Sequence, residues 1–368
     1  MRIALVVPGG VDRSGEYRVI PVLLALISRL ARDNDLHVYA LNQEREESEW
    51  PLDGAMIHNI GPVRSRVRAI RAICTAHRKL RFDVIQAIWS GAPGMVAVTA
   101  ARLLGIPSAV HIAGGELAAV KDIGYGGALT WRGRAREALV LRAASAITAA
   151  SEPILTSLSE VGLTAERLPL GVDLKAWPPR QPVRRSDTRP AKLIHVASLN
   201  RVKDQPMLLK ALAQLRAAGS SFEMQIVGED TLGGEIQTLA AQLGLSDRVR
   251  FQGFLTQRQL RPHLETADIL LMSSRHEAGP VVMLEAAAIG VPTVGTAVGH
   301  IAEWSPRAAV AVPVGDSTGL AGAIHDLLKD EDRRLRIASE ALNRAVAEDA
   351  DYTAQRFRAL YARLIAAK

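Results

Sequence analysis

The 368-residue chain has a single cysteine, Cys74. No disulfide can form within it, and a reducing compartment is expected. Aromatic residues make up 4% and no stacking module is present, which argues against nucleic acid as a partner. No stretch reaches the roughly 20 apolar residues needed to span a bilayer. The opening MRIALVVPGG passes from one arginine into a short strand-like run, with no secretory core behind it. The expectation is a cytoplasmic chain. No Asp-x-Asp pair is placed to hold a divalent ion. No G-x-G-x-x-G follows the first strand of either half, so the signature of a dinucleotide-dependent oxidoreductase is missing.

What remains is an ordinary α/β composition of 48% hydrophobic and 23% charged residues, in a length that suits two domains. The net charge of +7 calls for an anionic partner without choosing one. Short β-branched runs at 3–7, 37–41, 84–88, 108–112 and 146–149 alternate with helical spacing at 19–31, 67–80 and 92–104, the pattern of a parallel sheet covered on both faces. Residues 177–190, WPPRQPVRRSDTRP, are dense in proline and arginine and read as a linker. The alternation then restarts, with strands expected at 193–197, 223–227, 249–251, 269–272, 293–296 and 309–312. Helices are expected at 206–217, 234–243, 257–267 and 280–289. Residues 331–368 contain no proline or glycine and read as one long helical stretch. The expected organisation is two doubly wound domains, 1–176 and 191–345, facing a cleft, with 346–368 packing back towards the first. Ligands belong at the carboxyl ends of the strands.

The segment 273–292, SSRHEAGPVVMLEAAAIGVP, carries the chemistry. A buried strand ends at Ser273, a polar turn holds Glu277, and Gly279 and Pro280 open a short helix. That helix is apolar all round except for Glu285, so it should be buried. Its N-terminus at a strand's carboxyl end is suited to an anion or a sugar hydroxyl. A carboxylate inside such a helix needs hydrogen-bond donors, such as the vicinal hydroxyls of a ribose or an arginine elsewhere in the chain. Glu277 alone reads equally as a solvated loop acid.

Glu277-AGPVVML-Glu285 matches the E-x7-E motif, and its surroundings resemble glycosyltransferase family 4, with the GT-B fold. The same order holds for Val227-Gly228, Gly244-Leu245, Asp247-Arg248-Val249, Phe251-Gln252-Gly253, Ala267-Asp268-Ile269 and Gly290-Val291-Pro292. Pro169-Leu170-Gly171-Val172-Asp173 resembles the family's approach to its linker. The resemblance implies a retaining, metal-independent transfer of a hexose-type sugar from a nucleotide-sugar donor, with no cofactor. The acceptor would be a glycan, a lipid-linked or a small molecule.

On that resemblance Glu285 holds the donor ribose and Glu277 contacts the transferring sugar. Lys203 sits at the family's lysine on the diphosphate. Ser198 occupies the arginine position, and Arg201 is the cation nearest to replacing it. Both basic residues read otherwise as a solvated loop. Ser198, Asn200, Gly228, Ala278, Gly279, Pro280 and Val281 complete the donor side. On the acceptor side, Ser14-Gly15-Glu16 falls at the family's Gly-Gly loop. Ala113 stands where a histidine usually precedes the pair beginning at Gly114. His111, two residues earlier, either substitutes for it or is a core histidine, the reading favoured here.

Residues 64–81, RSRVRAIRAICTAHRKLR, interleave basic and apolar residues with no acid. This suits either an anionic membrane surface or, as favoured, a solvated helix face. A nucleotide-sugar 2-epimerase, a phosphorylase and a non-catalytic nucleotide-sugar binder are the other readings kept. The last draws on the replacements at Ser198 and Ala113.

Overall fold

A computed structural model describes residues 1–186 and 188–367. Asp187, in the expected linker 177–190, and Lys368, at the end of the expected segment 346–368, lie outside the described residues. The chain forms two compact units: Met1–Asp173 with Glu348–Lys368, and Leu174–Ala347.

The first unit is built on an eight-stranded sheet. Its strands are β1 (Arg2–Val7), β2 (Asp35–Ala40), β3 (Ser48–Leu52), β4 (Ala55–Asn59), β5 (Val84–Ile88), β6 (Ser108–Ile112), β7 (Ala146–Ala149) and β8 (Glu166–Arg167), in the order β3-β4-β2-β1-β5-β6-β7-β8. All neighbours are parallel except β3 and β4, a hairpin. The central strands are buried end to end, as in a sheet covered on both faces. The second unit carries β9 (Ala191–Val196), β10 (Phe222–Val227), β11 (Val249–Gly253), β12 (Ile269–Met272), β13 (Thr293–Thr296) and β14 (Val310–Val312). They form an all-parallel sheet in the order β11-β10-β9-β12-β13-β14. Strand order reverses beside β1, between β2 and β5, and beside β9, between β10 and β12. Open α/β sheets bind ligands at such switch points.

Residues 331–368 are not one helix. Glu331–Ala347 stops, and Ala350–Ala366 begins behind Asp349, whose side chain accepts from the Tyr352 N–H at 2.8 Å. A good capping residue breaks the helix where proline and glycine are absent. The first of these helices belongs to the second unit and the other to the first. The stretch 177–190 has no regular structure among its described residues, yet Trp177 is 1% exposed. Arg189 forks onto Asp268 at 2.7 and 2.8 Å, so this stretch packs on the second unit rather than trailing free. The sequence reading passed over β3, β4 and β8, and the helices Trp131–Ala143, Glu152–Glu160, Gly299–Trp304 and Ser317–Lys329. No helix among the described residues is long and apolar enough to cross a membrane.

Candidate active site

In the second unit the loops after β9 and β12 meet at the switch point. The first runs through Ser198, Asn200, Arg201 and Lys203 and the other through Ser273 to Pro280. Ser273 Oγ donates to the Lys203 carbonyl (2.7 Å), and the Arg275 N–H donates to the Val202 carbonyl (2.7 Å). The two loops are therefore stapled through the backbone carbonyls of Val202 and Lys203, independently of the Lys203 side chain. Lys203 Nζ lies 2.6 Å from Glu277 Oε1, which also accepts from Ser274 Oγ at 2.6 Å. Ser274 is fully buried, and its carbonyl accepts from Thr296 Oγ1 at 2.5 Å.

Beneath this pair His195 is fully buried, with Nδ1 2.9 Å from the Leu271 carbonyl. Burial pushes its pKa down to about 4, and the Lys203 charge acts the same way. It is therefore a neutral strut. Gly228 (φ 153°) closes the floor. A Cβ there would lie 2.0 Å from the Ala197 carbonyl oxygen and 2.9 Å from the Ser198 nitrogen, so only glycine permits this approach. Gly299 (φ 49°) does the same on the other side, where a Cβ would lie 3.0 Å from the carbonyl oxygens of Glu277 and Ala278.

Pro280 is the cap rather than the first residue of the helix Val281–Ala288. Ala278 and Pro280 are buried, whereas Gly279 and Val281 are half-buried. Glu285, within that helix, is 4% exposed. Its partner is not an arginine. Gln257 Nε2 donates to its Oε1 at 2.7 Å. Burial raises its pKa to about 7; Gln257 and the nearby Trp177 indole pull the other way. Trp177 Nε1 makes no hydrogen bond of normal geometry, so its pull on the carboxylate is the weaker. Lys203 and Glu277 are thus joined directly, while Glu285 has its own set of partners.

The remaining residues of these loops divide. Asn200 shapes the turn, its Oδ1 3.3 Å from the Lys203 N–H. Ser198 is exposed, and its carbonyl accepts from Gln205 at 3.1 Å. Arg201 does not join the cluster. Its side chain is 61% exposed and pairs with Glu235 at 3.2 Å.

In the first unit Ser14 and Gly15 (φ 67°) lie in the loop after β1. The Gly15 N–H donates to the Asp12 carbonyl (3.0 Å), and Ser14 Oγ accepts from the Tyr17 N–H (3.1 Å). Gln43 braces this loop from below, its Oε1 accepting from Gly10 and Val11 at 2.7 and 3.0 Å. His111 is a core histidine. It is fully buried, with Nδ1 2.9 Å from Thr148 Oγ1, its ring edge-on to Phe357, and its pKa pushed down to about 3 by burial. Gly114 donates from its N–H to Glu116 at 2.8 Å.

His195, Gln257, Trp177, Gln43 and Glu116 were not found by sequence reasoning. The first four act across long sequence separations that no local pattern announces. Glu116 sits beside Gly114-Gly115, so its signal was at hand.

Comparison with known proteins finds relatives for both units. Residues 180–344 match the family model "Glycosyl transferases group 1", and residues 19–171 match the "Glycosyl transferase 4-like domain". EpsF of Bacillus subtilis (strain 168) is 30% identical over 228 residues, 58% of this chain and 57% of that one. Glycogen synthase of Mycobacterium tuberculosis (strain ATCC 25618 / H37Rv) is 29% identical over 218 residues, 58% and 51% of the two chains. The alignments thus span about half the length of these relatives. Among solved structures, sucrose-phosphate synthase of Thermosynechococcus elongatus superposes with a TM-score of 0.84 at 18% identity, covering all of both chains. Anabaena HepE in complex with UDP-glucose gives 0.74 at 18% identity, again covering both chains fully. With one family-model match on each unit, the chain belongs to the glycosyltransferases that these models describe, and it has the GT-B fold.

Proposed function

We propose that the chain moves a hexose from a nucleoside-diphosphate sugar to an acceptor hydroxyl, with retention and without a metal. The Lys203–Glu277 pair at the β9/β12 switch point carries this reading. In the reaction the bond from C1 of the sugar to the diphosphate oxygen breaks. The acceptor oxygen bonds to C1, and its proton leaves. Lys203 then meets the charge growing on the leaving diphosphate, with the N-terminus of Val281–Ala288 as a second positive pole. Glu277 is released from Lys203 to accept from sugar hydroxyls, and Glu285 accepts from the ribose. Retention is carried over from the resemblance to family 4. HepE, crystallised with UDP-glucose, makes uridine the base to try first. The comparisons do not favour the epimerase, the phosphorylase or the non-catalytic binder.

A thermal-shift panel of UDP-, GDP-, ADP- and TDP-glucose without metal tests the donor site. A ligand at 100 times its Kd adds about 2.7 kcal/mol to the native state. One base should therefore raise the midpoint by on the order of 5 °C. Arg201→Ala, which alters a residue paired with Glu235, should keep that shift. If no nucleotide sugar moves the midpoint at millimolar concentration, the reading fails.

We further propose that the first unit docks on an anionic membrane face, from the cytoplasmic side. On the helix Ser65–Leu80 and its ends, Arg64, Arg66, Arg71, Arg78, Lys79 and Arg81 are exposed, alongside Val63 (68%) and Val67 (51%). Met95–Leu104 packs on that helix and Trp131–Ala143 packs on Met95–Leu104. These two add the exposed Leu103, Trp131 and Leu139, while Glu137, the acid of the last helix, is buried. Exposed apolar and basic side chains on neighbouring helices suit an interface of this kind. Co-sedimentation with phosphatidylcholine vesicles containing phosphatidylglycerol should exceed that with phosphatidylcholine alone. Arg71→Glu with Arg78→Glu should cut it by tenfold or more, since each juxtamembrane charge is worth about 1 kcal/mol. Equal binding to both vesicles would remove the membrane from the account.

A further inference from the structure

At the switch point of the first sheet, β5 ends in an unusual backbone. The Trp89 N–H still pairs with the His111 carbonyl at 2.8 Å. Trp89 itself then turns to φ 72°, ψ 129°, a costly region for a bulky residue. A wide π-type turn, Ser90–Gly94, follows at once and is broken at Gly91 (φ −51°, ψ −112°). Both departures are of kinds that collect at functional sites. Their effect is to leave the indole half-exposed at the carboxyl edge of the sheet, beside the loops that follow β1 and β6.

The surroundings hold that ring in place. Glu116 is 9% exposed; its Oε1 accepts from the Ser90 N–H at 3.2 Å and its Oε2 from the Gly114 N–H at 2.8 Å. Ser90 Oγ donates to Glu137 at 2.6 Å. The carboxylate of Glu116 therefore ties the residue after the indole to the loop after β6. Gly114 lies against the ring itself, so that a Cβ there would sit 3.0 Å from Trp89 Cδ1. The loop behind is also fixed by close approach. A Cβ on Gly115 would come within 2.5 Å of the Tyr125 hydroxyl, and one on Gly127 within 2.4 Å of the Glu116 carbonyl oxygen.

We infer that Trp89 is the platform of the acceptor site and that the acceptor bears a neutral pyranose ring, whose C–H face stacks on the indole. This rests on the transferase reading and names the acceptor class for it. The charge pattern supports a sugar over a phosphate. Residues 89–94 and 113–116 carry no cation, and their one charged side chain is an acid. In the loop after β1, Arg13 is forked onto Glu44 at 3.0 and 2.9 Å and Arg18 is bound to the Gln43 carbonyl. A polyol is compatible with such an edge, whereas a phosphate monoester there would meet Glu116 with no cation in residues 89–94 or 113–116 to offset it. Glu116 acts through the backbone it holds, as a positioning residue.

The test uses the intact chain with the donor found above. Initial rates are measured on p-nitrophenyl α- and β-glycosides of glucose, galactose, mannose and N-acetylglucosamine, and on undecaprenyl phosphate in detergent. At least one glycoside should be turned over. Trp89→Ala should raise its KM tenfold or more, leaving donor Kd and donor hydrolysis within twofold of wild type. Trp89→Phe should recover most of the loss. Gly114→Ala, which displaces the ring without removing it, should raise the same KM. Glu116→Gln should raise it less than Glu116→Ala does. An acceptor KM that Trp89→Ala leaves within twofold overturns the proposal. So does an enzyme that hydrolyses its donor but uses only undecaprenyl phosphate, or none of these acceptors. An enzyme that neither binds nor hydrolyses any nucleotide sugar would instead sink the transferase reading beneath it.

Discussion

Lys203→Ala should lower kcat for sugar transfer by about 10²–10³-fold, the cost of deleting one fixed donor to a developing negative charge. The ammonium is 2.6 Å from Glu277 Oε1 with 24% of the side chain exposed, so the solvent that could replace it is limited. Its loss acts twice. The leaving diphosphate loses a cation, and among the described residues Glu277 keeps the Ser274 hydroxyl alone and is left as a poorly compensated carboxylate beside the sugar. Folding should be little affected. The loop is secured by the Lys203 carbonyl to Ser273, the Lys203 N–H to Asn200, and Val202 to Arg275, all backbone atoms at 202 and 203. Lys203→Arg should recover only part of the rate, because a planar fork cannot take the place of a compact ammonium against one oxygen. Steady-state kinetics on the donor, with the unfolding midpoint measured alongside, separates the two effects. Retention of more than a tenth of wild-type kcat in Lys203→Ala would remove the cation from the mechanism.

The parts of this site that could be read in advance were those that one strand and its following turn determine together. Strands 84–88, 108–112, 146–149, 269–272 and 293–296 lie where the β-branched runs put them, because a parallel strand buried on both faces reads as a mainly apolar run with no charged residue to blur its ends. The hairpin β3–β4 was passed over although Asp53-Gly54, both at positive φ (50° and 84°), is a strong hairpin signal. Pro51 and the polar residues around it hid the strands. The helix Trp131–Ala143 was missed because Gly133 and four arginines blur its apolar face, and because its cap, Thr130 accepting from the Gly133 N–H at 3.0 Å, follows an irregular loop. Lys203 and Glu277 were legible as members of one site. That they touch was not, since 74 residues separate them. The partners of Glu285 were out of reach for the same reason. Gln257 opens a different helix, and Trp177 lies in a stretch that composition marks as linker.

Glu285→Gln should make the resting protein more stable and the donor complex weaker. The native pKa of Glu285, about 7, lies above its usual 4.5 because burial disfavours the charged form. The folded chain therefore keeps this proton where the unfolded chain has lost it. The contribution of Glu285 to stability is therefore whole below pH 4.5, declines as pH rises towards 7, and levels off above that, by about 3 kcal/mol in all. A glutamine is neutral throughout and can still accept from Gln257 Nε2. The variant should match wild type near pH 4.5 and exceed it at pH 8 by on the order of 5–10 °C in midpoint. Binding should respond in the opposite sense. Ribose hydroxyls donate better to a carboxylate than to an amide oxygen, so wild-type affinity for the nucleoside diphosphate should rise between pH 6 and 8, while that of Glu285→Gln stays lower and flat. Calorimetric titration at pH 6, 7 and 8, together with melting curves at the same values, reads both. A variant that flattens the stability profile yet binds nucleotide as wild type does would make Glu285 a packing residue. Loss of affinity with the pH slope of stability unchanged would mean that its carboxyl is already ionised in the resting protein.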